Sequence, residues 1–326
     1  MIFNRRDVLR LAAAVPVATL AGKGMAQTFP SRPIKLLVPY VPGSPVDVLA
    51  RVVSKQMAER LGQAISIENR PGAGALIATK MVATAPADGL TLLMSGQTLT
   101  YLNDFYPDLG FDPVKAFTPV ATLAGWSHVL VVNPSLPVKS VADLVALAKA
   151  KPGTLNFGFG IGTSPQILGE YFKIVAGLEI VSVPYKGGEE VRIDLIGGRI
   201  QMNFAPYGNV RAMIQEGQLR PIAVTSAKRM AALPDVQTMT EAGYPQVGFD
   251  PDIWQAIVAP LGTPEPIVRK LNEVINDSLK LPEVRETFDK LLFDPMIDTP
   301  EGFATFLAVQ AQKWPPVIKA ANIKPQ

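Results

Sequence analysis

The sequence predicts an α/β fold of two lobes, each a doubly wound sheet, joined by a two-strand hinge. Two observations carry that prediction. From Arg32 onward short β-rich runs alternate with helical patterns, the order that builds parallel sheets covered by helices. Two extended crossings, near residues 119–132 and 219–226, bracket a segment of about a hundred residues. The expected division is therefore residues 27–125 plus 227–326 for lobe 1 and 126–226 for lobe 2.

Each element follows from its pattern. "IKLLVPY" (34–40) is a continuous apolar run bounded by Pro and Gly, as a strand buried on both faces requires. A helix from Val46 to Leu61 places Leu49, Val52, Val53, Met57 and Leu61 on one stripe. Strand "AISIEN" (64–69), loop "RPGAGA", a helix through Val82 and strand "LTLLMSG" (90–96) complete a β-α-β-α-β series. "PVATLAGWSHVLVVNP" (119–134) is long enough to leave one sheet and enter another. In "SVADLVALAKAKPG", Ser140 is the N-cap, Asp143 the capping-box acid and Gly153 stands beyond the end. Strand "TLNFGFG", a Gly-rich loop and a helix over 165–176 follow, then strand "EIVSVPY" and a helix ended by Gly197–Gly198. Strand "IQMNFA", a helix from Tyr207 to Glu216 closed by Gly217, and extended "LRPIAVTS" (219–226) end this segment. The tail, 263–326, is helical in three pieces, two of them started by Thr or Leu before a first-turn Pro. There is no internal repeat.

Composition excludes several chemistries. The 326 residues hold no Cys and a single His, His128, which removes disulfides, thiol catalysis and His-rich metal sites and argues against a Ser–His triad. His128 in "GWSHVLVV" reads as a structural residue at a strand start. Four of the 31 basic and one of the 28 acidic side chains lie in residues 1–26, so the rest balance at 27 each. A neutral chain carries no electrostatic footprint for nucleic acid or an anionic membrane. Residues 1–26 have the pattern of a twin-arginine export leader: "NRRDVLR", then the weakly apolar "LAAAVPVATLAG", then "GMA" before Gln27. The apolar run falls short of the roughly 20 residues that a membrane span needs, and Pro16 interrupts it.

The chemistry-bearing stretches are turns between strands and helices. In "PGSPVD", Ser44 fits an N-cap, Pro45 the first helical position and Asp47 the capping box. A well-capped helix explains the stretch locally. So does an anion site on a helix N-terminus at the carboxyl end of a buried strand. "ENRPGAGA" (68–75), "SGQTLT" (95–100) and "GFGIGTSPQ" (158–166) repeat the pattern across both segments, and four such turns would line one cleft. Their N–H and hydroxyl groups would hold a carboxylate without a fixed Arg.

Competing motifs are weak. Residues 158–162 give G-x-G-x-G rather than G-x-G-x-x-G, and no Walker loop or G-x-S-x-G occurs. No Ser has an obvious His or Lys partner. Glu189–Glu190 and Asp250/Asp252 read as solvated loop charges. Trp254 in "PDIWQAIVAP" suits either the core or a ring facing the cleft, and stands among the candidate ligand residues.

Taken together, the chain resembles the periplasmic solute-binding proteins of tripartite tricarboxylate transporters, the Bug family, from about Phe29 to the C-terminus. The resemblance is carried by "RPIKLLVPYVPGSPVDVLAR", "IENRPGAGA", "APADGLTLLM", "GIGTSPQILGEYFK", "VPYKGGEE", "LIGGRIQMNF" and "VAPLGTPEPIVRKLN", in order. It implies a hinge-closing, type II periplasmic-binding-protein architecture that holds a ligand carboxylate between the lobes, partly through water. By position it implies Tyr40, Gly43, Ser44 and Asp47 in the first turn, Ala73 and Gly74 in the next, and Gln97 and Thr98 after the third strand. Gly162, Thr163 and Ser164 fall on the opposite lobe, with Asn203, Pro206 and Tyr207 near the distal end of the ligand. Three departures bear on the ligand. Gly43–Ser44 replaces the usual Gly-Gly, Phe159 and Ile161 replace small or polar residues, and Ala205 stands where members that hold an amino group can have Asp. These favour a carboxylate with an apolar or aromatic body over an amino acid. The implied role is non-enzymatic, monomeric and cofactor-free: a small organic acid is captured and delivered to a membrane permease. A ligand-loaded sensor component is the alternative, with an exported hydrolase or isomerase behind it.

Overall fold

A computed structural model describes residues 29–161, 163–248 and 253–320; the proposed leader lies outside them. In chain order the elements are β1 (Ile34–Val38), α1 (Pro45–Leu61), β2 (Ile65–Asn69), α2 (Leu76–Ala83), β3 (Thr91–Gly96), α3 (Thr98–Phe105) and β4 (Phe117–Trp126). Then come β5 (His128–Val132), α4 (Val141–Ala150), β6 (Asn156–Gly160), α5 (Ser164–Ala176), β7 (Val181–Tyr185), α6 (Gly188–Ile196), β8 (Met202–Pro206), α7 (Tyr207–Gln215) and β9 (Arg220–Val224). The last are β10 (Ile253–Pro260), α8 (Glu265–Leu279), α9 (Pro282–Leu291), β11 (Asp294–Pro295) and α10 (Pro300–Ala320).

Two sheets form. The first has the order β11-β4-β10-β3-β1-β2 and the second β7-β6-β8-β5-β9. β1 runs parallel to β2 and β3, as the β-α-β-α-β series requires, and β6 runs parallel to β7 and β8. Both sheets are nevertheless mixed: β10 is antiparallel to β3 and β4, and β5 is antiparallel to β8 and β9. These exceptions are the strands on either side of a crossing, which re-enter a sheet without a right-handed β-α-β turn.

The outward crossing is as short as a chain allows. β4 ends at Trp126 in the first sheet and β5 begins at His128 in the second, leaving Ser127 between them. The return crossing differs from expectation. β9 is an edge strand of the second sheet, and the following segment stays there: Met239 N–H donates to Val224 O, and Met239 and Val247 join the core that holds Phe157, Phe172 and Phe204. The chain is back in the first sheet only at Ile253. An extended edge strand and an extended linker have the same apolar signature, which is why residues 219–226 read as hinge.

The C-terminal helix also departs from its expected place in one lobe. Phe303 and Leu307 of α10 pack with Trp254 on the first sheet, while Trp314, Val317 and Ile318 of the same helix join the core of the second. Tyr101 of α3 lies edge-on to Trp314 at 6.1 Å between ring centres. Thr299 caps the helix through its hydroxyl, which accepts from Gly302 N–H at 3.0 Å. A single helix thus packs against the cores of both sheets.

Candidate functional site

The first turn is built from its own residues. Gly43 sits at φ +81°, where a Cβ is strained. The Ser44 hydroxyl accepts from Asp47 N–H (3.3 Å), and the Asp47 carboxylate reaches back to Gly43 N–H (2.9 Å). Asp47 also accepts from Arg51 through Nε (2.8 Å) and Nη2 (3.1 Å) and from Asn69 Nδ2 (2.8 Å), while Asn69 ties the turn to Tyr40 O (3.0 Å). Burial opposes ionisation of Asp47 most strongly, but the bonds from Arg51, Asn69 and Gly43 together outweigh it and hold its pKa at about 2. Asp47 is therefore a buried, ionised strut of the turn. Gly43 N–H and Asp47 N–H are used internally, Ser44 N–H donates to Val41 O and Pro45 has none. Of this turn's donors, that leaves the Ser44 hydroxyl proton and the Val46 N–H. Both residues line the cleft.

That cleft is a cavity of about 620 Å³ between the sheets. One wall carries Tyr40, Ser44, Val46, Trp126, Ile253 and Leu291–Phe293; the other carries Gly160, Thr163–Pro165, residues of α6, Asn203, Ala205, Pro206 and Gly208–Val210. On the second wall Thr163 is the N-cap of α5, and its hydroxyl donates to Gly160 O at 2.6 Å. Asn203 Nδ2 donates to Gly158 O at 2.7 Å, which fixes its amide in the cleft. Ser164 Oγ lies 3.1 Å from His128 Nε2. His128 does start a strand, but the expectation that no Ser has a His partner fails: 36 residues separate two groups that the fold brings together. If Nε2 carries the proton, His128 donates to Ser164 and leaves the hydroxyl proton for the cleft; if not, the hydroxyl donates to the ring.

The candidates divide accordingly. Tyr40, Ser44, Thr163, Ser164, Asn203 and Pro206 line the cleft together. Gly43 and Asp47 shape its edge. Ala73 and Gly74 are exposed, in a turn beside α3 where Ala73, Gly74 and Ala75 all have positive φ (47°, 58° and 77°), and they do not line the cavity. Neither do Gln97 and Thr98. Tyr207 lines a second cavity of about 490 Å³, which shares Leu292 and Phe293 with the cleft. Gly162 lies outside the described residues.

Trp254 is a correction. It is fully buried against Phe303 and Phe306, at 6.0 and 5.4 Å between ring centres, on the face of β10 turned away from the cleft. Its strand neighbour Gln255 points the other way, toward Tyr40, as strand alternation demands. Beside that contact Ser95 Oγ, Gln97 Oε1 and Gln255 Oε1 are buried without a protein partner. Such atoms require water or a ligand group. Burial also raises the pKa of Tyr40, against a smaller opposing effect of the Gln255 bond, so its hydroxyl keeps its proton and remains a donor.

Sequence reasoning missed the apolar wall and the charged pair. Trp126 stacks on Phe293 at 4.3 Å and 12°, a platform formed by the last residue of β4 and a residue 167 positions later. Glu189, read as a solvated loop charge, opens α6 and pairs with Arg192; both line the cleft, which therefore does contain an Arg. No local motif announces these residues, because only tertiary packing brings them to the wall.

Two α/β lobes with a ligand-sized cleft between them, walled by helix starts from both, define a two-lobed solute-binding architecture. The chain belongs to the tripartite tricarboxylate transporter family of receptors, TctC, whose family model matches residues 49–323. It is 34% identical over 325 residues to the protein BugT of Bordetella pertussis, covering 98% of this chain and 99% of that one. A Rhodopseudomonas palustris structure solved with adipate superposes with a TM-score of 0.75 at 34% identity, covering 91% of this chain and 100% of the other. MatC of Rhodopseudomonas palustris with bound malate gives 0.70 at 28% identity, with 89% and 100% covered. The resemblance read from the sequence is thereby confirmed.

Proposed function

We propose that this protein is a periplasmic receptor that closes its two lobes on a small organic carboxylate and presents it to a tripartite tricarboxylate-type permease. One observation carries the reading: hydroxyl-bearing residues from both lobes (Tyr40 and Ser44 on one, Thr163 and Ser164 on the other) meet in one cavity whose remaining wall is largely apolar. Closure desolvates a carboxylate held there, which strengthens charge-assisted O–H and N–H bonds. Micromolar affinity asks for only about 8 kcal/mol. The adipate and malate of the two relatives support a carboxylate, and the receptor family supports a permease partner, export through a leader at residues 1–26 and a non-enzymatic role. The buried oxygens of Ser95, Gln97 and Gln255 fit ordered water within the first lobe. The test is a thermal-shift screen of the exported form against mono-, di- and tricarboxylates and aromatic acids. Stabilisation by a carboxylate is expected, and no stabilisation by any of them refutes the reading.

The Ser164–His128 contact is the one observation that favours a second reading, acyl transfer. Turnover of p-nitrophenyl acetate that disappears in Ser164→Ala would establish it.

A further inference from the structure

Among the described residues, Arg192 and Glu189 are the only charged side chains that line the 620 Å³ cleft, and they pair with each other along one face of α6. Their neighbours on the wall are apolar: Val191, Leu195, Ala205, Pro206 and Val210. We propose that Arg192 is the specificity-determining residue of the cleft, taking a second anionic group of the ligand in exchange for Glu189. The proposal rests on the carboxylate reading above and narrows it to acids that carry two anionic groups.

Desolvation sets this preference. In the structure the Arg192 side chain is 33% exposed and that of Glu189 64% exposed, so their ion pair is largely solvated and held weakly. Closing the lobes over an uncharged ligand tail would strip water from the Arg192–Glu189 pair against an apolar wall, a desolvation cost that the pair's own attraction offsets only in part. A ligand carboxylate supplies that partner with two oxygens matched to the guanidinium fork. Glu189, already the more exposed of the two, turns to solvent. The hydroxyls of Ser44 and Ser164 and the Val46 N–H remain for the first carboxylate. The cleft thus reads two anions, one at the Ser44 and Ser164 hydroxyls and one at Arg192, and the chain length of the best diacid measures their separation.

The test pairs α,ω-dicarboxylates from succinate to suberate with the monocarboxylates of equal chain length, by calorimetric titration of the exported form. The expected result is a preference of at least about tenfold for the best dicarboxylate over its monocarboxylate partner. That ratio should collapse toward one in the double variant Glu189→Gln/Arg192→Gln, which keeps the wall's net charge at zero. Glu189→Gln alone should tighten dicarboxylate binding severalfold by removing the competitor. Arg192→Lys, which retains the charge without the fork, should keep part of the preference and serves if the double variant does not fold. A wild-type ratio near one, or a preference that survives loss of Arg192, overturns the proposal and leaves the carboxylate reading standing. Binding of no carboxylate at all overturns both.

Discussion

Replacing Asp47 with Asn tests whether the first turn is braced as described. The isosteric amide keeps the volume but loses the charge that receives Arg51, and it turns an NH₂ toward donors on Arg51, Asn69 and Gly43. The magnitude follows from titration. Asp47 is buried, with its pKa lowered from the ordinary 3.8 to about 2 despite the opposing effect of burial. At ~1.4 kcal/mol per pH unit, the folded state favours the ionised carboxylate by about 2 kcal/mol. Because the folded pKa lies below the unfolded one, this stability is present in full above about pH 4 and disappears as pH falls through about 2. Urea unfolding of wild type and Asp47→Asn, at pH 7 and at intervals down to pH 2, measures it. The variant should be about 2 kcal/mol less stable at pH 7, and the gap should narrow only below about pH 4. Equal stability at neutral pH, or a gap that does not change with pH, would show that Asp47 is not the strut of this turn.

Ser44→Ala should weaken binding of the best carboxylate about tenfold by calorimetry, through loss of a charge-assisted donor, and lower stability by ~1 kcal/mol through loss of the cap. Trp314→Ala should cost about 3–5 kcal/mol in denaturant unfolding, since its ring is fully buried where α10 reaches the core of the second sheet. Gly169→Ala should destabilise by about 1–3 kcal/mol, because a Cβ there would overlap the ring of Phe157, a core side chain that has no room to yield. Gly153→Ala meets no neighbouring atom but keeps a left-handed φ of +68°, so its cost should stay near 1 kcal/mol.

The parts of the fold that were legible are those with local causes. Pro and Gly punctuate the strands and helices, and Ser44 and Ser140 cap their helices with Asp47 and Asp143 as the spacing predicts. The parts that were not legible depend on the order of strands across a sheet. β10 inserts between β3 and β4 although more than a hundred residues separate it from either, and nothing in alternation specifies that position. Its parity was hidden for a related reason. All eight residues of β10 are buried, so apolarity does not distinguish the face that carries Trp254 from the face that carries Gln255. The candidate site divides along the same line. Turn residues such as Ser44, Thr163 and Ser164 announced themselves by composition, whereas Arg192, Trp126 and Phe293 reach the cleft only because helices and strands distant in sequence pack together.

The crossing at Ser127 bears on how the cleft can open. Ser127 alone separates β4 from β5, and the two residues before it and after it are engaged: Trp126 stacks on Phe293, and His128 holds Ser164. The outward crossing therefore connects directly to both walls of the ligand cavity. Rotation at Ser127 would shift the Trp126–Phe293 platform relative to the start of α5, which changes the distance between the apolar wall and the hydroxyls that would hold the carboxylate. α10, packed on both cores through Phe303 and Trp314, limits that rotation. A ligand that touches both the Trp126–Phe293 platform and Ser164 would then favour the closed form in proportion to the contacts it makes only there.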